Sequence, residues 1–290
     1  MGMRIRTNVS SLTAQRYLSN NNKDLNDSLE RLSSGFRINK AADDAAGLAV
    51  SEGLRAKVRG LSVAQRNAMD GISMIQIAEG AMNEMSNIMV RLRELTIQAA
   101  SDTIGNTERG YLNREYVQLV DEVDRISKTT EFNNLRLFDT GDDSEFVLQV
   151  GVNSSAPEDN MDTIRINLDG LKFSSESLGL GKGSEIGPLE GEDGPTREEI
   201  AGRLNPIDNA LTRFASERST LGSVQSRLNS AINNIGISVE NMSNAQSRIK
   251  DVDFAEESTR LTQANVLKAS NTAVLAQANA APEMALQLLR

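Results

Sequence analysis

The sequence predicts a mainly α-helical fold with long heptad helices, coiled-coil termini and one small β-hairpin. Three observations carry this expectation. Apolar residues make up 39% of the 290-residue chain, but aromatic residues only 3%, with no Trp. A core of Leu, Ile, Met, Val and Ala suits closely spaced helices better than stacked sheets. Leu54, Leu61, Ala68, Ile75, Met82 and Met89 then recur every seven residues, and Ile207, Phe214, Leu221, Leu228, Ile235, Met242 and Ile249 hold a second such phase. An apolar repeat of seven kept this long winds helices left-handedly around their partners.

The elements follow in chain order. Leu18, Leu25, Leu29, Leu32 and Phe36 form a narrow apolar stripe near the start. The first heptad helix spans about 44–100, with Val58, Ile72, Met85 and Leu92 on or beside the adjoining seam. A third helix is expected over about 107–129, where Leu112, Tyr116, Leu119, Val123 and Ile126 recur at three to four residues. Phe146, Leu148, Val150 and Val152 alternate with other residues, as do Ile164, Ile166 and Leu168, which predicts a β-hairpin over about 145–168. Residues 173–195 are rich in Gly, Ser and acid, with two prolines, and predict a short exposed loop.

Thr196-Arg-Glu-Glu199 has capping-box spacing and would open a short separate helix. Beyond it, Asn205 as cap, Pro206 at the first helical position and Asp208 in the first turn predict the start of the second heptad helix. Over 207–249 that helix would be roughly 60 Å long. The end of the chain, from Asp251, is mostly Ala, Asn, Gln, Ser, Thr and Leu, with Phe254, Leu261, Leu288 and Leu289 among its few large apolar residues. Isolated helices of this kind are marginal in water, so both ends are expected to order by packing against other copies. Glycines 53/60 and 222/236, spaced by whole heptads, would mark faces where another helix comes close.

Composition also excludes functions. The chain has no Cys and no His, which removes disulfides, thiolate nucleophiles, Cys/His zinc sites and the usual neutral-pH acid–base residue. Carboxylate pairs and Ser/Lys pairs remain chemically available, but no nucleophile–base pair stands out. The expectation is no enzyme, no cofactor and no metal. No run approaches the ~18–20 apolar residues of a membrane span, and the start has no apolar leader segment, so a soluble chain without membrane insertion is expected. Net charge is −9, and residues 139–200 hold fifteen Asp/Glu against four Lys/Arg, as on a solvated outer face. The first sixty residues are only mildly basic and poor in aromatics, which predicts no nucleic-acid binding.

Two long stretches carry a resemblance. One is Leu32-Ser-Ser-Gly-Phe-Arg-Ile-Asn-Lys-Ala-Ala-Asp-Asp-Ala-Ala-Gly-Leu-Ala-Val-Ser51, followed by Gln65-Arg-Asn-Ala-Met-Asp-Gly-Ile-Ser-Met-Ile-Gln-Ile-Ala-Glu-Gly80. The other is Arg248-Ile-Lys-Asp-Val-Asp-Phe-Ala-Glu-Glu257, continuing through Leu275-Ala-Gln-Ala-Asn279 to Leu288-Leu-Arg290. Together they resemble bacterial flagellin over nearly the whole chain except 173–195, in a short form lacking outer variable domains. The resemblance implies two domains: 1–44 with 246–290 as a terminal coiled coil lining the filament core, and 45–245 as a rod-like helical domain with the hairpin. Leu18, Leu25, Leu29, Leu32, Phe36, Phe254, Leu261, Leu288 and Leu289 are the assembly candidates.

It implies a secreted structural subunit of the bacterial flagellum that polymerises into the filament and transmits motor torque for swimming motility. Its implied partners are many identical copies, an export chaperone, the type III export apparatus, and the filament cap and hook–filament junction proteins. Val90-Arg-Leu-Arg-Glu-Leu-Thr-Ile-Gln98 resembles the segment by which many flagellins meet a flagellin-sensing Toll-like receptor. Arg91 and Leu95, with Glu115 on the next helix, are the matching contact candidates. Val90 departs from the Gln usual there. The alternatives are a hook–filament junction adaptor, with related helical ends, and a signalling helical bundle, against which the hairpin and acidic middle argue.

Overall fold

The computed structural model describes residues 7–139, 145–153, 162–181, 185–187 and 195–287. In chain order the elements are helices α1 (Val9–Ser34), α2 (Ala45–Ala99) and α3 (Asn106–Thr129); strands β1 (Glu131–Phe132), β2 (Leu135–Arg136), β3 (Glu145–Gln149) and β4 (Thr163–Asn167); and helices α4 (Arg197–Gly202), α5 (Leu204–Lys250) and α6 (Phe254–Gln287). A single 3-10 turn, Asp169–Leu171, follows β4. The chain divides into two compact units, 1–58 with 240–290 and 59–239. Both boundaries fall inside the long helices α2 and α5, whereas the sequence expectation had placed them at 44/45 and 245/246.

The 59–239 unit holds one continuous apolar core. On α2, Leu61, Ala68, Ile75, Met82 and Met89 are buried, as are Met85 and Leu92 beside them. On α5, Ile207, Phe214, Leu221, Leu228 and Ile235 are buried. α3 adds Tyr116 and Val123. Met82 and Met89 at successive heptad positions, with Met85 beside them, are unbranched and adaptable, and fill gaps that shaped side chains would leave. Hydrophobic periodicity therefore locates the core directly.

The expected hairpin is present as an antiparallel pair, with Phe146 opposite Ile166 and Leu148 opposite Ile164. Leu148, Ile164 and Ile166 turn inward. Two glycines of α2 let it lie close: a Cβ at Gly71 would strike Leu148 Cδ1, and one at Gly60 would come within 2.7 Å of Val152 Cγ1. Gly53, Gly222 and Gly236 face open space within the single chain, so close approach to another element applies only to Gly60 among the four glycines expected to mark such faces.

A second, smaller hairpin, β1–β2, was not foreseen. Its turn residues Asn133 and Asn134 have φ of 50° and 64°. A two-residue turn with both central φ positive matches the twist of its strands, and Asn tolerates that conformation better than most residues. Behind it Leu137 and Phe138 are fully buried. The signal was there as Asn-Asn between Glu131-Phe132 and Leu135-Arg136, but two-residue strands carry no readable alternation.

Two expectations need correction. The first is the exposed loop. Phe173, Leu178, Leu180 and Ile186 are buried. Phe173 stacks on Phe214 with centroids 4.2 Å apart and meets Phe138 at 5.8 Å. Ser175 donates from its backbone N–H (2.6 Å) and hydroxyl (2.9 Å) to the Asp124 carboxylate, and the Ile186 N–H donates to Asn113 Oδ1 (2.9 Å). Thus 173–181 and 185–187 are packed structure, because a few apolar residues among many glycines and serines find a core that composition does not reveal. The remainder of the predicted loop, 182–184 and 188–194, lies outside the described residues.

The second is the start of α5, which begins at Leu204, so Asn205 is not its cap. Pro206 still falls in the first turn, where a missing N–H costs nothing. Asp208 instead pairs with Arg93 on α2 at 2.7 Å. The capping box at Thr196 is present as expected: Thr196 N–H reaches Glu199 Oε2 (2.7 Å), and Glu199 N–H reaches Thr196 Oγ1 (3.4 Å). Hydrogen bonds to its carboxylate from the Thr196 backbone N–H first, and from the Thr196 side chain second, hold Glu199 below its ordinary pKa.

Candidate assembly surfaces and receptor segment

In the unit formed by the two ends, α1 and α6 run antiparallel. Asn8 Nδ2 donates to Ala278 O (2.7 Å), Ser11 Oγ to Asn279 Oδ1 (2.7 Å), and Asn21 Nδ2 to Ala264 O (2.8 Å), while Arg31 lies 3.9 Å from Glu257. The seam on α1 follows spacings of three and four: Ser11, Ala14, Leu18, Asn21, Leu25, Ser28 and Leu32, all buried or half-buried. On α6 it follows Glu257, Leu261, Ala264, Asn271, Leu275 and Ala278, likewise buried or half-buried. This is a heptad seam built largely of small and polar residues. Such a seam contributes little apolar burial and much register.

The sequence candidates divide accordingly. Leu18, Leu25, Leu32 and Leu261 sit on the seam. Leu29, Phe36 and Phe254 do not, and are exposed. Leu288 and Leu289 lie outside the described residues. What sequence reasoning missed is the outward face: Val9 (60% exposed), Leu12, Tyr17, Val266 (64%), Leu267 and Val274 all point away from the seam. The leucine stripe was visible, but which leucines meet α6 depends on the partner helix, and one stripe seen alone does not supply that.

The turn between α1 and α2 is anchored against the end of α5 and the link to α6. Gly35, at φ 75°, closes α1 in the left-handed conformation. Phe36 then bridges Asp251 in an isolated antiparallel pairing, Val252 N–H donates to Gly35 O (3.0 Å), and Arg37 N–H donates to Lys250 O (2.7 Å). Lys250 Nζ stands 4.9 Å above the Phe36 ring and 3.1 Å from Glu52. Asp43 accepts from the N–H groups of Asn39 (3.1 Å) and Lys40 (3.0 Å), and these backbone hydrogen bonds hold its carboxyl below the usual range. The first quoted signature is therefore largely a turn: its glycine, aspartates and Ile38, which is buried, each have a place in it.

The receptor candidates separate. Arg91 and Glu115 join across α2 and α3, with Arg91 Nη2 2.8 Å from Glu115 Oε1, and Arg91 also reaches Glu94 at 3.1 Å. The hydrogen bond to Glu115 first, and that to Glu94 second, raise the Arg91 guanidinium above its ordinary pKa. Both members of the pair are close to half exposed. Leu95 is 0% exposed and belongs to the core. It is therefore buried within the apolar cluster and not presented at the surface beside Arg91.

Among the described residues no group of three His, Cys, Asp or Glu could hold a metal ion, and no helix is long and apolar enough to cross a membrane. The geometry is that of packing surfaces.

Comparison with known proteins agrees with this. Residues 5–142 match the bacterial flagellin N-terminal helical region, and residues 204–289 the bacterial flagellin C-terminal helical region. A flagellin of Halalkalibacterium halodurans is 40% identical, covering 99% of this chain and all of that protein. A flagellin of Bacillus subtilis is 38% identical, again over 99% of this chain and all of the relative. A solved structure of a putative flagellar hook-associated protein from Vibrio parahaemolyticus shares the fold at TM-score 0.59 and 14% identity, covering 72% of this chain and 100% of that one. With both helical ends matched in order and whole-length relatives at this identity, the chain belongs to the bacterial flagellin family, the structural subunits of the flagellar filament.

Proposed function

We propose that the paired ends α1 and α6 are the polymerising element, packing against identical copies to build the core of a filament that transmits torque for swimming. One observation supports this most: the large apolar side chains of both helices, Val9, Leu12, Tyr17, Val266, Leu267 and Val274, face away from the seam that joins them. Each such side chain, about half exposed, would gain roughly half of the ~1.5–3 kcal/mol of a full transfer on burial, and a contact repeated between neighbours without closing produces a helical polymer. Tyr17→Ser with Val266→Ser should abolish salt-induced filaments in electron micrographs while leaving monomer helicity unchanged. Normal filaments from that double variant would overturn the assignment.

The same reading makes the chain a secreted component of the flagellum. It also makes the ends, before assembly, the segments an export chaperone would hold on the way to a type III export apparatus, with the filament cap and hook–filament junction proteins as later partners. Whole-length relatives named as flagellins support a filament subunit over a junction adaptor. A second reading is favoured by one observation, the exposed Arg91–Glu115 pair: recognition of the monomer by a flagellin-sensing Toll-like receptor, with Arg91 and Glu115 as contacts.

A further inference from the structure

Among the described residues, Glu257 is the only charged one that is buried, at 3% exposure, and it lies on the seam between α1 and α6. Its carboxylate is poorly served there. Oε1 is buried and has no hydrogen-bond partner among the described residues. Oε2 lies 3.9 Å from Arg31 and 3.7 Å from Arg260, close enough for ion pairing but too far for a hydrogen bond. Arg260 gives its short contact, 2.7 Å, to Glu256. Five other carboxylates and four guanidiniums line the polar cavity of about 530 Å³ beside it, so its surroundings carry no excess of positive charge. Nor does α6 need this residue at its start. Asp253 takes the N–H groups of Ala255 (2.9 Å) and Glu256 (3.2 Å), and the exposed Glu256 already sets a carboxylate in the first turn.

A carboxylate taken out of water loses its hydration, and nearby guanidiniums restore that loss only when hydrogen bonds also satisfy its oxygens. The partners here do not share its burial: the Arg31 side chain keeps 26% of its surface exposed and that of Arg260 keeps 55%. Removing the acid therefore leaves both cations hydrated, whereas removing Arg31 strands the acid. We propose that Glu257 is a weak point built into the seam, holding the α1–α6 pair below the stability that an apolar residue at the same position would give. The two ends of the monomer then open easily, and burial against neighbouring copies closes them. That last step rests on the polymerisation reading above; the weakening within one chain does not. The other buried polar groups of the seam differ in kind. Asn21 donates to Ala264 O at 2.8 Å and Ser11 to Asn279 Oδ1 at 2.7 Å, so each is uncharged and has its hydrogen bond made. Glu257 has a charge and lacks the hydrogen bonds.

Hydrogen exchange on the full-length monomer tests this with two substitutions that should act in opposite directions. Glu257→Met keeps an unbranched side chain of similar length and removes the charge. Amides of α1 and α6 are expected to exchange about tenfold more slowly than in the unaltered chain. Arg31→Met leaves the acid with one cation fewer, and the same amides are expected to exchange about threefold faster. The double variant should behave like Glu257→Met alone, because Arg31 matters only while the acid is present. Amides in the core of the 59–239 unit should not change in any of the three. Faster exchange in Glu257→Met overturns the proposal, since a stabilising ion pair or a carboxylate satisfied by water in the cavity would give that result. Unchanged exchange overturns it as well, and so does an Arg31→Met variant whose ends exchange no faster than those of the unaltered chain. Filament formation by the unaltered chain is scored separately in electron micrographs. Its absence overturns the polymerisation reading and leaves the monomer result standing, so the two failures are told apart.

Discussion

Removing residues 1–44 and 251–290 together should leave a chain that still unfolds cooperatively but forms no filaments at any salt concentration. The core of the 59–239 unit, with Met82, Met89, Leu92, Phe214 and Leu228 all fully or almost fully buried, needs nothing from the ends. The ends, by contrast, bury Ser11, Asn21, Ser28 and Glu257 where a stable coiled coil would bury leucines. Ordering a residue costs ~1–2 kcal/mol of backbone entropy, and a seam this poor in apolar area offsets little of it. Backbone amides of α1 and α6 should therefore exchange with solvent rapidly in the free monomer, at opening energies near the bottom of the range for the molecule, and slowly in the filament. Slow exchange of both helices in the monomer, or filaments from the truncated chain, would show that the ends are stable without neighbours.

The second large effect is at Leu95. Leu95→Ala should destabilise the monomer by ~2–5 kcal/mol, because it opens a cavity in a fully buried site. Four residues earlier, Arg91→Ala should leave the unfolding midpoint nearly unchanged, because its pairs with Glu115 and Glu94 are solvent-exposed. Urea unfolding measures both. Receptor signalling then separates recognition from folding. Arg91→Ala should weaken the response with its unfolding midpoint intact, whereas any loss with Leu95→Ala should track the fraction unfolded. Equal unfolding midpoints for the two variants would mean that Leu95 is not part of the core.

How much of this was legible in the sequence depended on the period of each pattern. Both heptad helices and their inward residues were readable, because seven-residue spacing over many turns admits one explanation. The β3–β4 hairpin was readable from strict alternation at Phe146–Val152 and Ile164–Leu168. The packed segment around Phe173 was not: three or four apolar residues scattered among Gly and Ser carry no period, and their partners Phe138 and Phe214 lie far away in sequence. Nor was the role of Leu95, since a helix with apolar residues on most of its circumference does not reveal which line faces out until its neighbours are placed. Glu257 was quoted only as part of a signature. Its burial against Arg31 depends on how two distant helices meet.

Asn21 has one further consequence. Its amide donates to the carbonyl of Ala264, at the point on α6 where the side chain is small enough to let α1 approach. Sliding α6 by one heptad would put Glu257 or Asn271 there instead, each bulkier than alanine. Asn21 thus favours one alignment of the antiparallel pair, at a cost in stability. A subunit whose two ends pair in that alignment has a fixed length between its inner landmarks. In the filament proposed above, that length would act as a ruler, giving every neighbour the same axial step and keeping small errors of alignment from accumulating along the polymer.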